Sequence, residues 1–252
     1  MRSGSPPSGD ALYREVSGAF QRIADAAARA SPRHGPVHLH VTAPPTFMMR
    51  WRVPRLADFQ LTHPDIQIHL SNRRDAGQPL PEGYDLAIRR GSGRWPEMHA
   101  SAFMDEQITP VCSPRLLKGR KAPRPNTLHT MTWLRAEMRP ADWEAWLARA
   151  GITAQAPRNA LYFDHTYLAL EAAIDGLGVA MAPLQLIDDE LQSGRLQVLF
   201  PKLVAPAPGY YSVYRKSSQG QRAVSAFIEW LRLRGAAAGN EKKTTRTGGA
   251  KG

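Results

Sequence analysis

A single cysteine, Cys112, stands in 252 residues. One thiol makes no internal disulfide and no multi-thiolate metal site, a composition that fits a reducing compartment, so the cytoplasm is the expected address. No stretch of about 18 apolar residues occurs, and the opening MRSGSPPSGD is polar where a signal peptide carries its apolar segment. Neither membrane insertion nor export is expected. The signatures of common enzymes are also missing: there is no G-x-S-x-G, no G-x-x-x-x-G-K-[ST] and no H-E-x-x-H. Gly176-Leu177-Gly178 follows a helical pattern and precedes a strand, the reverse of a dinucleotide-binding context. Cys112 lies between Pro110 and Pro114 without a neighbouring histidine and reads as a buried inert thiol. No catalytic residue, cofactor or metal site is expected. His38, His40 and His69 are able to meet on one sheet face, yet no carboxylate or thiolate accompanies them at ligand spacing in the sequence.

What the chain does have is positive charge, +11 net, and 42% hydrophobic residues. Clustered Lys and Arg attract phosphate non-specifically, but here the excess is dispersed. Residues 236–252 hold Lys242, Lys243, Arg246 and Lys251 against Glu241, and the rest of the excess is spread over the other positions. The charge therefore reads as a solvated surface. The length and apolar content suffice for two compact lobes.

Periodicity orders the elements. Asp10 to Ala30 places Leu12, Val16, Ala19, Phe20, Ile23 and Ala27 at steps of three and four, an amphipathic helix stopped by Ser31-Pro32. Its apolar stripe is expected to pack on a second copy. Val37, Leu39 and Val41 then alternate with His38, His40 and Thr42, as in a strand. Thr46 stands at an N-cap position before Phe47-Met48-Met49, and Pro54 is a first-turn residue of the next helical stretch, which ends near His63-Pro64. Further strands are expected at Ile66–Leu70, at Tyr84–Arg89 and at Glu106–Cys112, the last as an edge or a crossing because Pro110 lies inside it. A short helix opens at Ser113-Pro114, and strands follow near Met131–Leu134, Gly178–Met181, Leu196–Phe200 and Tyr210–Tyr214. Helices are expected from Ala141 to Ala150, closed by Gly151, over Tyr167–Asp175, Leu184–Gln192 and Ala223–Leu233. The order implies two α/β units with a double crossing, near Cys112 outward and near Tyr211 back, and so a hinged cleft. Such sheets collect ligands at the carboxyl ends of their strands, where helix N-termini point.

Seven segments together resemble the effector domain of LysR-type regulators, in the branch that includes the glycine-cleavage and β-lactamase regulators. They are RWRVPRL (50–56), HPDI (63–66), YDLAIR (84–89), GRWP (93–96), PVCSP (110–114), DWEAWL (142–147) and FDHTYLALEAAIDGLGVAMAP (163–183). The resemblance implies an α/β fold of two Rossmann-like lobes with a double crossover, periplasmic-binding-protein-like of type II, preceded by a linker helix. The implied divisions are a linker (dimerisation) helix over 10–31, lobe I over 36–112 and 211–235, lobe II over 113–210, and a disordered basic tail over 236–252. It implies transcription regulation through a small-molecule effector, a homodimer or higher homo-oligomer, and DNA contact through a winged helix-turn-helix that the segment before Asp10 is too short to hold. A stand-alone solute-binding protein, or an enzyme on the same fold, is the alternative reading.

By the same resemblance the effector cleft is lined by Pro45, Thr46, Phe47, Arg89, Thr109, Asp164, His165 and Tyr211. Physically, Thr46 and the 163–166 turn aim two helix starts at one cleft, which suits a carboxylate, while Asp164 favours an amine. A zwitterionic or peptide-like ligand is the expectation. Thr46 and Asp164 equally suit plain helix caps, Arg89 a structural ion pair, and Tyr211 and Phe47 lobe core.

Overall fold

The computed structural model describes residues 16, 19, 36–52, 55–72, 80–118, 123–153 and 156–247. The expected linker helix lies outside the described residues apart from Val16 and Ala19, both helical, and Pro54 lies outside them as well.

The chain opens with strand β1 (Val37–Thr42), a three-residue helix α1 (Pro45–Phe47) that runs into a π-helical turn over Met48–Arg52, helix α2 (Leu56–Thr62), and strands β2 (Ile66–Ser71) and β3 (Leu86–Arg90). The two helical stretches expected between Thr46 and His63 are thus present as separate elements, the second beginning at Leu56. Strand β4 (Met98–Cys112) leads into the other half, with β5 (Thr132–Ala136), α3 (Asp142–Arg149), β6 (Asn159–Phe163), α4 (Thr166–Ile174), β7 (Val179–Pro183), α5 (Asp188–Gln192) and β8 (Gln197–Val198). Strand β9 (Ala205–Arg215) returns, and helix α6 (Arg222–Thr247) closes the chain.

The strands share one hydrogen-bonded ladder, in the order β2-β1-β3-β9-β4-β7-β5-β6, with β8 on β4. β2, β1 and β3 are mutually parallel, as are β6, β5 and β7. Between these triplets β9 and β4 run antiparallel, so the ladder is continuous only through the two crossing strands. Packing shows where one half ends. On β4, Phe103 and Met104 belong to the first core, while Ile108 and Cys112 belong to the second. On β9 the change falls between Ala207 and Tyr210. The register of the crossing strands slips between Ala102 and Met104 and again between Met104 and Glu106, bulges at the joint between lobes. Gly209 sits there because a Cβ on it would lie 2.9 Å from the Met104 carbonyl oxygen. The crossing therefore sits a few residues ahead of Cys112, inside a strand twice as long as its sequence pattern suggests. Pro110 occupies a central strand: its carbonyl accepts from Leu199 N–H at 3.0 Å, and it faces Met181 on β7.

Lobe I packs on rings. Phe47, Trp51, Phe59, Phe103, Tyr210, Phe227 and Trp230 share one core with Leu39, Val41, Ile66, Leu86 and Ile88. In lobe II, Trp133 stacks on Trp143 with ring centres 3.9 Å apart, beside Trp146 and Leu147. Its other face is small: Ala169, Ala172 and Ala173 of α4 meet Ala180 and Ala182 of β7. Cys112 is buried among these groups, and burial pushes its thiol above the ordinary value, in line with an inert role.

Helix α6 departs from expectation. The expected helix ends at Leu233, yet it continues past Gly235 to Thr247. The residue is buried against β4, where an added Cβ would fall 2.0 Å from the Phe103 carbonyl oxygen. Gly235 thus permits close helix–strand approach, and the Ala236–Ala238 run that follows has the best helix propensity of any residue type. The tail expected to be disordered is helical through Thr247, and 248–252 lie outside the described residues.

Candidate functional site: a cleft between the lobes

The lobes enclose a cleft of about 510 Å³, a size typical of small-molecule sites. Lobe I supplies the carboxyl end of β1 and the turn after it (Thr42 to Thr46), the end of β3 (Ala87 to Arg90), Asn72 and Trp95. Lobe II supplies Met138, Arg139, His165 and Thr166, and Tyr210 of β9 forms part of the floor. These are the strand ends and helix starts where open α/β sheets hold ligands.

Of the eight expected residues, Pro45, Thr46, Arg89 and His165 line the cleft. The other four lie elsewhere. Phe47 is fully buried in the lobe I core between Trp51 and Tyr210. Thr109 is buried past the crossing, its hydroxyl 3.4 Å from the Leu203 carbonyl. Asp164 is exposed and its backbone carbonyl accepts from Met138 N–H at 3.2 Å. Tyr211 faces the opposite side of the sheet from its neighbour Tyr210, packing on Trp95 at 5.4 Å between ring centres. Strand β9 carries apolar residues on both faces, so alternation left its phase open, and the tyrosine in the cleft is the preceding one. Trp95 was legible as part of the GRWP segment but had no assigned task. Arg90 and Arg139 gave no local signal, because their partners are distant in sequence.

Those partners form a buried charge network beneath the cleft. Arg90 Nε donates to Glu106 Oε1 at 2.8 Å, and its Nη2 to Asp142 Oδ1 at 3.1 Å. Arg139 donates to both Glu106 oxygens and, at 2.5 Å, to Asp142 Oδ2. The Glu106 side chain is fully buried, and those of Arg139 and Asp142 are nearly so. Burial alone would lower the Arg139 pKa, but the carboxylates of Glu106 and Asp142 hold it above its ordinary value. Burial pushes the Tyr210 phenol up, and the neighbouring Glu106 charge adds to that, so it stays a neutral hydrogen-bond donor to Glu106. Arg90 comes from lobe I, Glu106 from a crossing strand, and Arg139 and Asp142 from lobe II: the network pins the joint.

A second set of contacts spans the lobes beside the cleft. Arg50, on the π-helical turn, reaches Glu171 of α4 at 2.6 Å and also pairs with Glu190 of α5. π-Helical turns often mark functional sites. Thr46 caps no helix of its own; α1 begins after Pro44 without any side-chain cap. Its hydroxyl oxygen instead accepts from Tyr167 N–H at 3.2 Å, satisfying one of the open donors at the start of α4 in the other lobe. The N-cap position of α4 is His165, whose side chain makes no capping bond.

No helix among the described residues is long and apolar enough to cross a membrane. The family profile of the LysR substrate binding domain matches residues 34–236. The glycine cleavage system transcriptional activator of Escherichia coli (strain K12) is 30% identical over 235 residues, 93% of this chain and 76% of that protein. The HTH-type transcriptional activator AmpR of Pseudomonas aeruginosa is 35% identical over 225 residues, 88% of this chain and 74% of its own length. The solved effector domain of AmpR from P. aeruginosa superposes with a TM-score of 0.70 at 32% identity, covering 82% of this chain and 98% of that one. The fold is the periplasmic-binding-protein-like type II arrangement of these domains, and the chain belongs to the LysR family through its substrate-binding domain.

Proposed function

We propose that this effector-binding domain of a LysR-type regulator takes a small organic anion with an apolar body into the cleft between its lobes. The observation that carries this reading is the lining. Arg89 lines the cleft with Thr166 at the start of α4, beside Arg90 and Arg139, whose charges are shared with Glu106 and Asp142 beneath it, and no acidic side chain lines it among the described residues. Pro44, Pro45, Ile88, Trp95 and Met138 complete the wall with apolar surface. Asp164, the reason for expecting an amine, is not part of it. An unpaired ammonium group would be desolvated beside guanidinium charges, a costly arrangement. Ligand contact at both walls favours the closed pose of the lobes over an open one, and this population shift is the regulatory signal. A homodimer working in the cytoplasm, with DNA contact left to a winged helix-turn-helix, completes the family role.

Isothermal titration of the protein against aliphatic and aromatic carboxylates, zwitterionic amino acids and simple amines tests the ligand class. Carboxylates with apolar bodies are expected to bind, and Thr46→Val to weaken them. Binding confined to amines or neutral compounds contradicts the reading.

A further inference from the structure

Away from the lining of the cleft, on the free edge of lobe I, three histidines converge. Alternation along β1 puts His38 and His40 on one face, and the parallel register with β2 sets His40 opposite His69. Ring centres lie 4.6 Å apart for His40 and His69, 5.2 Å for His38 and His69, and 6.5 Å for His38 and His40. Three imidazoles around one ion with metal–nitrogen bonds of 2.0–2.1 Å place their ring centres roughly 5 Å apart.

We propose that His38, His40 and His69 bind one divalent transition-metal ion of the zinc, nickel or copper class, with Asp85 orienting His40. Two ligand atoms already sit at the spacing required. His38 Nδ1 and His69 Nε2 are 2.9 Å apart, close to the separation of about 3.3 Å between two nitrogens of a tetrahedral ion. In the metal-free chain a hydrogen bond joins them; on binding, the donor ring carries its hydrogen on its other nitrogen instead, which frees both facing lone pairs for the ion. The third ligand has its supporting partner. Asp85 Oδ2 accepts the His40 backbone N–H at 2.8 Å and lies 3.7 Å from His40 Nδ1. This leaves Nε2 of His40 for the metal, the carboxylate–imidazole–metal relation that fixes tautomer and ring direction in metalloproteins.

As they stand, no three His, Cys, Asp or Glu side chains among the described residues, these histidines included, are placed to hold a metal ion. The rings of His40 and His69 are 20° from parallel, and binding turns them from stacked to radial. The required motion is a side-chain rotation, open to His38 and His69 because both are exposed. Exposure also leaves the fourth position to water. All-nitrogen donors select zinc, nickel and copper over magnesium or calcium. Since β2 is the end strand of the ladder, the bound ion staples it to β1. The same face of β1 continues to Thr42, which lines the cleft.

Titration of the metal-free protein with zinc chloride and with nickel chloride, followed by calorimetry, tests the site. One saturable equivalent per chain is expected, accompanied by a rise in Tm. His38→Gln and His69→Gln, both at exposed positions, each weaken binding tenfold or more, and Asp85→Asn weakens it by about 10–100-fold. His129→Gln, at a half-buried position on lobe II, leaves it unchanged. Cobalt added to the wild type gives the intense visible absorption of a four-coordinate site, which His69→Gln abolishes. Absence of saturable uptake, or uptake that survives both His38→Gln and His69→Gln, overturns the proposal.

Discussion

Lobe I and lobe II each carry three parallel strands flanked by the crossing strands, but they hold together differently. Lobe I packs a cluster of seven rings between its sheet and the helices α2 and α6, and it provides most of the cleft wall. Lobe II divides its apolar groups between a tryptophan stack and an alanine-lined interface, and it provides the acidic partners that grip lobe I. The contrast teaches a division of labour. Lobe I supplies the bed of the site, and lobe II meets it through Arg50, Thr46 and the Arg90–Glu106–Arg139–Asp142 network.

The strongest way to break this comparison is at Glu106, which serves both lobes. Glu106→Gln leaves Arg139 and part of Arg90 buried without their shared counter-charge, a loss of about 3–5 kcal/mol. Urea unfolding followed by tryptophan fluorescence checks it, because Trp51, Trp95 and Trp230 report lobe I while Trp133, Trp143 and Trp146 report lobe II. Both sets are expected to unfold earlier; loss confined to one set would make the lobes independent. Gly235→Ala acts on lobe I alone. Its methyl group collides with the Phe103 carbonyl and displaces α6 from β4, at a cost of about 1–3 kcal/mol by calorimetric melting.

Arg50→Met addresses the contact between the lobes. It removes the pairs to Glu171 and Glu190 while keeping most of the side-chain volume, so the closed pose loses population. Ligand affinity is expected to fall about tenfold, or about 1.4 kcal/mol, and small-angle scattering of the free protein to show a larger radius of gyration. The smallest effect is acid sensitivity of lobe I. Hydrogen bonds from Arg234 and Trp230 hold the Asp58 carboxyl below its ordinary 3.8, and a hydrogen bond from Arg222 does the same for Asp65. Stabilisation from a depressed carboxyl is full above 3.8 and disappears as the pH falls through the lower folded value. Both groups are at the surface, so Tm between pH 4 and pH 2 is expected to fall only slightly less in Asp58→Asn with Asp65→Asn than in the wild type.

Much of lobe I was legible because its strands alternate: His38, His40 and Thr42 against Val37, Leu39 and Val41 announce β1 and even the face on which the histidines meet. The double crossing was legible from element order, though not its position. β4 begins at Met98, well before the EQITPVC pattern, because its first half lies against β9 with residues of mixed polarity. Strand β6 escaped notice since, as an end strand, it leaves Leu161 and Tyr162 exposed and shows no buried stripe. In the cleft, the turn after β1 and the end of β3 were legible through the family resemblance. The rest depends on distant partners. Thr46 reads as a cap in sequence and is one, but for a helix start in the other lobe. Arg139 finds Glu106 across 33 positions, a pairing that no periodicity records.

Amide chemical-shift mapping during titration with the tightest-binding carboxylate tests the cleft most directly. Simultaneous shifts are expected at 42–46 and 87–95 in lobe I and at 138–139 and 165–167 in lobe II. Perturbations restricted to one lobe, or centred away from these segments, would contradict a ligand held between two closing walls.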